Sequence, residues 1–156
     1  PDKARVRNNV GSAFYKKGLK AEGMEEFRRA AELDPSFPDA HFNLGNAYKD
    51  LGLMEEAVKE YETAVELEPG KLNARNNLGL AYYASGAHAE ALKQFEAILA
   101  VNPRDYRVRN NMGLVLSAMG RKEEAASEFR AALSINPGFE YAIDNLREIE
   151  SEAGLR

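Results

Sequence analysis

A single spacing governs this chain. Proline stands at Pro1, Pro35, Pro69, Pro103 and Pro137, each 34 residues after the last, and only Pro38 lies outside the series. Gly18, Gly52, Gly86, Gly120 and Gly154 share that spacing, as do Asn9, Asn43, Asn77, Asn111 and Asn145. Three independent columns at one period of this size mark a solenoid, in which each unit is one supersecondary element that buries its apolar face by stacking on its neighbours.

Within a unit, apolar residues run at helical spacing twice, as in Ala40, Leu44, Ala47, Tyr48 and Leu51, then Ala57, Val58, Tyr61, Ala64 and Val65. Gly52 falls in the short turn between the two runs. Pro69 follows the second, where it drives its predecessor out of the right-handed α region and stops the helix. Each unit is therefore expected to be a helical hairpin. Glu22, Glu56, Glu90 and Glu124 fall in the first turns of the second helices, where a negative charge meets the positive end of the helix dipole.

Composition sets the outer bounds. A chain of 156 residues, 44% hydrophobic and 29% charged, can form one packed domain without staples. The lack of cysteine removes disulfides, thiolate catalysis and cysteine-ligated metal. A net charge of -4 supplies no basic excess for nucleic acid, so none is expected as a partner. No apolar run approaches the roughly 18 residues of a membrane span. The first residue is Pro1, in the place where the last proline of a preceding unit would stand, which leads us to expect further sequence upstream; the compartment stays open, with a lean toward the cytoplasm.

No catalytic constellation emerges. His41 and His88 are the two histidines, and neither belongs to a metal-binding pair. There is no P-loop, no nucleotide-binding glycine fingerprint after a strand and no GxSxG elbow. The repeated Asn-Asn-x-Gly strings lie inside helices and not at strand-to-helix turns. The chain is expected to be no enzyme and to use neither cofactor nor metal.

The columns resemble the tetratricopeptide repeat (TPR) family. Residues 38 to 71 carry its pattern as Leu44, Gly45, Tyr48, Gly52, Ala57, Tyr61, Ala64 and Pro69; the next unit has Leu78, Gly79, Tyr82, Gly86, Ala91, Phe95 and Pro103. The fourth has Met112, Gly113, Leu116, Gly120, Ala125, Phe129, Ala132 and Pro137, and the first has Val10, Gly11, Phe14, Gly18, Phe27, Ala30 and Pro35, with Gly23 in place of alanine. The resemblance implies an all-α, right-handed superhelical solenoid of antiparallel helix hairpins. It would form one domain over residues 1–156, with repeats at 4–37, 38–71, 72–105 and 106–139 and a capping helix at 140–154. In that cap Arg147 takes the glycine column and Glu150 the aromatic one, which suits a polar outer face. Gly45, Gly79 and Gly113 are expected where paired helices approach closely. The family's tryptophan is replaced by Arg7, His41, Arg75 and Arg109, and Ile98 stands where the family has alanine. Long arginine stems can cover apolar surface in its place.

The resemblance also implies a role: a non-catalytic interaction module, adaptor or scaffold, that takes a peptide segment of a partner protein along its concave face. Matching the family's groove positions gives Asn8, Asn9, Phe42, Asn43, Asn46, Asn76, Asn77, Leu80, Tyr83, Arg107, Asn110, Asn111 and Leu114. Around them fall Ser12, Tyr15, Lys16, Ser117 and Ala118, with Tyr141, Asp144, Asn145 and Glu148 from the cap. An asparagine offers two donors and an acceptor, so a file of them can pair with both N–H and C=O of an extended backbone. The alternative is that these asparagines satisfy groups between helices. A clamp for a C-terminal carboxylate is not expected, because of its five columns only Asn43 matches in the first register and the cations are missing. Arg5, Arg7, Arg75, Arg107 and Arg109 are expected to pair with nearby glutamates rather than form an anion-binding edge. Two other roles remain open: a self-assembling scaffold, as arrays of this family form on bacterial magnetosome membranes, and an accessory domain of a larger enzyme.

Overall fold

In the computed structural model, residues 2–153 are described; Pro1 and Gly154, the outer members of two columns, lie outside them. Among the described residues there are nine helices and no strand: α1 Asp2–Lys16, α2 Lys20–Leu33, α3 Pro38–Asp50, α4 Met54–Leu67, α5 Leu72–Ala84, α6 His88–Val101, α7 Tyr106–Ala118, α8 Lys122–Ile135 and α9 Glu140–Ala153. The chain divides into two compact units, one ending at Ala81 and the other beginning at Tyr82, within α5. In the first unit α1 pairs with α2 and α3 with α4, and α2 packs on α3. In the second, α7 pairs with α8, while α6 packs on α7 and α8 on α9.

Backbone chemistry sets both ends of each hairpin. Gly18, Gly52, Gly86 and Gly120 all adopt φ between 75° and 81°, a left-handed conformation that costs glycine nothing. Around Gly52, Leu53 N–H reaches Tyr48 O at 3.0 Å and Gly52 N–H reaches Lys49 O at 3.0 Å, the paired bonds of a Schellman stop. The same pair recurs at Gly18, Gly86 and Gly120. At the other end, the residues before the prolines, Asp34, Glu68, Asn102 and Asn136, sit at φ -143° to -127° and ψ 82° to 91°. That is the extended region to which a following proline confines them.

The second helices start without a side-chain cap at Leu19, Leu53, Ala87 and Arg121. Each instead carries acid in its first turn, including Glu22, Glu56, Glu90 and Glu124. Asp105 does cap α7, accepting from Arg107 N–H and Val108 N–H at 3.1 Å each.

The hairpin cores are aromatic rings laid over glycine. A Cβ on Gly45 would stand 2.8 Å from Tyr61 Cδ1, and one on Gly113 would stand 2.5 Å from Phe129 Cε1. Gly79 is buried as well. Gly23 has a separate reason: its Cβ would stand 2.7 Å from Tyr15 Cδ2, so the missing methyl is what lets that ring lie down on the hairpin. Ile98 is fully buried in the second unit.

The arginine-for-tryptophan column forms a polar clip. Arg109 donates to Glu128 at 3.0 Å and to Pro103 O at 3.0 and 3.2 Å. Arg7 bonds Glu26, and Arg75 donates to Pro69 O at 3.1 Å. His41 does the same work with its two ring nitrogens, Nδ1 against Glu60 at 2.6 Å and Nε2 against Pro35 O at 3.1 Å. The clip ties a first helix to its own second helix and to the proline turn before it, a polar substitute for indole packing.

Candidate functional site

In each unit a hollow opens beside the first helices at the expected groove positions. The first, of about 280 Å3, is lined by Ser12, Tyr15 and Lys16 from α1, Phe27 from α2, and Asn43 and Asn46 from α3. The second, of about 230 Å3, is lined by Leu114, Ser117 and Ala118 from α7, Phe129 from α8, Asn145, Glu148 and Ile149 from α9, and Tyr83. Column for column these are one site, three repeats apart: Ser12 matches Leu114, Tyr15 matches Ser117, Lys16 matches Ala118, Phe27 matches Phe129, Asn43 matches Asn145 and Asn46 matches Glu148.

The asparagines behave differently along the file. Asn8 is only 7% exposed, and its Oδ1 accepts from Asn43 Nδ2 at 2.8 Å. Asn110 is only 5% exposed and accepts from Asn145 Nδ2 at 2.9 Å. These two are spent between successive first helices. Asn46 Oδ1 accepts from both Tyr61 OH at 2.7 Å and Asn77 Nδ2 at 2.8 Å. Burial pushes the Tyr61 hydroxyl well above its ordinary range, so it stays a donor. Asn43, Asn46, Asn76, Asn77 and Asn111 keep part of their surface in solvent, and Asn9 is exposed.

Among the other expected positions, Tyr83 and Leu114 meet in the second hollow. Phe42 leans on the Tyr61 ring with centroids 6.1 Å apart, and Leu80 is half-buried on α5. Arg107 is exposed over the Tyr106 ring at 5.7 Å, in a small aromatic group with Phe139 and Tyr141. The floor residues Phe27 and Phe129 were not anticipated. Their column, Phe27, Tyr61, Phe95 and Phe129, reads as core packing, and nothing in its periodicity says that an edge of a ring faces a hollow.

Charge separates the two sites. In the first, Tyr15 tilts onto Phe27 at 5.7 Å and its hydroxyl donates to Asp50 at 3.3 Å, which Lys20 pairs at 2.9 Å. Partial burial, then the Asp50 charge, pushes the Tyr15 hydroxyl up to about 12. The Lys20 bond holds Asp50 below the usual carboxylate range. Ring and cation thus fill and rim the first hollow. In the second, serine and alanine replace Tyr15 and Lys16, and the carboxylate of Glu148 stands at the lip.

Among the described residues no group of three or more histidines and carboxylates could hold a metal, and no helix is long and apolar enough to cross a membrane. His88 opens α6 with its ring 5.8 Å from that of Tyr83.

Two family models match: one described as a TPR repeat over residues 21–52 and 45–86, and one described as Tetratricopeptide repeat over residues 76–138. No curated protein matches the chain. Among solved structures, a MamA protein superposes with a TM-score of 0.92 at 23% identity, covering 99% of this chain and 85% of its own. MamA from Desulfovibrio magneticus RS-1 gives 0.91 at 21%, covering 99% and 87%. YrrB, described as "a TPR protein with an unusual peptide-binding site", gives 0.83 at 23%, covering 96% and 77%. At such identities the likeness is one of fold, and that fold is the all-α solenoid of helical hairpins. With the repeat columns, the Schellman-stopped hairpins and both models in agreement, the chain belongs to the tetratricopeptide repeat family.

Proposed function

We propose that this chain is a non-catalytic interaction module that binds a peptide segment of a partner protein in the hollows beside its first helices. The recurrence of one lined site in both units carries the reading: an aromatic floor, an asparagine wall and a variable lip. The floor takes an apolar group, and the asparagine amides that remain in solvent offer donors and acceptors to a backbone. The buried pair Asn8 and Asn110 serve the frame; Asn43, Asn46, Asn77, Tyr83 and Leu114 are the residues in reach of a ligand. The description of YrrB as peptide-binding supports the same use of the fold.

The test is a random peptide library displayed on phage and selected on the immobilised chain. Selected peptides should lose at least tenfold in affinity against Asn46→Ala or Leu114→Lys, whichever hollow they use, while circular dichroism stays that of the parent. Equal binding to both variants would move the ligand off these surfaces.

A further inference from the structure

The second hollow differs from the first in ways that name its occupant. Where the first holds Tyr15, tilted into contact with Phe27, the second has Ser117; where the first has the cation of Lys16 at its lip, the second has Ala118. Leu114 stands where the first has Ser12, so the second hollow is no larger, and its apolar walls are Leu114, Phe129, Ile149 and Tyr83. At the lip, Asn46 of the first site is replaced by Glu148, whose carboxylate has no ion pair or hydrogen bond among the described residues. The nearest cation along its own helix, Arg147, is turned to Asp144 at 3.5 Å.

A slot walled by Leu114, Tyr83 and Phe129 and otherwise polar, with Ser117 and Asn145 in its lining and the Glu148 carboxylate at its mouth, suits a side chain with an aliphatic stem and a positive head. A carboxylate or phosphate ligand would meet Glu148 as a like charge, and a wholly apolar side chain would gain nothing from it. We infer that the hollow formed by α7, α8 and α9 is a pocket for a lysine or arginine side chain of the bound peptide, with Glu148 as its specificity-determining residue. This rests on the peptide-binding reading and adds to it the chemistry of one position. The first hollow, with Lys16 at its lip, does not share that preference.

The asparagine that walls the pocket is held in place. Asn145 Nδ2 donates to the buried Asn110 Oδ1, which leaves its own Oδ1, on a residue that lines the slot, as a neutral acceptor for an ammonium or guanidinium N–H. A cation entering between Asn145 and Glu148 thus finds one neutral and one charged acceptor above an aromatic and aliphatic floor.

The experiment compares three forms of the full chain in the same phage selection: parent, Glu148→Gln and Ala118→Lys. The last restores the lip of the first hollow at an exposed position. The parent should enrich peptides with lysine or arginine at one fixed position. A synthetic peptide from that pool, read by fluorescence anisotropy, should lose about tenfold in affinity on Glu148→Gln and more on Ala118→Lys. Both losses should shrink at high salt, because salt already screens the attraction to Glu148 in the parent and the repulsion from the added lysine. Enriched peptides that lack a fixed basic position, or that bind Glu148→Gln as well as the parent, overturn the pocket while leaving the peptide-binding reading intact. If no peptide is enriched by any form, the peptide-binding reading falls and the pocket with it.

Discussion

At the scale of single residues, His41 shows how a column can change its residue type and keep its job. Both ring nitrogens face acceptors, the Glu60 carboxylate and the Pro35 carbonyl, and only the imidazolium can donate to both. The Glu60 hydrogen bond accordingly raises the His41 pKa above its ordinary value, against a smaller opposing effect of burial. Since the folded-state pKa lies above the unfolded value of about 6.5, the stabilisation is whole below that pH and is lost as pH rises through the folded value. His41→Arg, the residue of the other three units, keeps the charge at all pH. It should match the parent near pH 6 and exceed it near pH 8.5 by about 1 kcal/mol, the net scale of one hydrogen bond. Denaturant titrations at the two pH values check this, and equal gains at both would mean that His41 is already neutral. Glycine offers a second residue-level contrast. Gly113→Ala drives a methyl into the Phe129 ring and should cost about 1–3 kcal/mol through overpacking. Gly52→Ala meets nothing within 4 Å, and its cost of about 1–2 kcal/mol comes from the left-handed backbone alone. Asparagine tolerates that conformation better than alanine, so Gly52→Asn should recover part of the loss while Gly113→Asn recovers none, a pattern readable from four melting curves.

At the scale of helices, the punctuation was legible in the sequence and the interior of the groove was not. A glycine at a fixed offset and a proline at another specify where each helix stops, because each acts through its own backbone. Which asparagine faces solvent depends instead on its neighbour in the next unit. Asn8 and Asn43 occupy different columns one residue apart, and they find each other only because adjacent first helices bring them together. The Gly23 exception, visible in the sequence as a missing alanine, was the one hint that Tyr15 lies down across its hairpin. Asp105 shows what local chemistry can do: as the side-chain cap of α7 it satisfies two orphan N–H groups. Asp105→Ala should cost about 1 kcal/mol. Asp105→Ser should restore most of that, since a hydroxyl caps nearly as well as a carboxylate. Thermal unfolding of the three forms distinguishes a cap from a charge effect, which serine would not rescue.

At the scale of the molecule, the period that made the fold readable also predicts how stability is distributed. Within each unit the paired helices pack on each other and on the next helix in the chain, with α2 on α3 in the first and α6 on α7 and α8 on α9 in the second. Contacts of this kind make an array whose stability is a sum of repeat and nearest-neighbour contributions, and whose parts can open separately. Gly45→Leu places a large side chain against Tyr61, at a site where even a methyl would lie 2.8 Å from the ring. The damage falls on the hairpin of α3 and α4, in the unit that ends at Ala81. Hydrogen exchange followed by mass spectrometry should show protection falling at least tenfold in α3 and α4, by less in α1 and α2, and scarcely at all in α7, α8 and α9. The mirror variant, Gly113→Leu, should reverse that order, with α7 and α8 losing protection first. Uniform loss across all the helices in either variant would describe a single all-or-none structure instead.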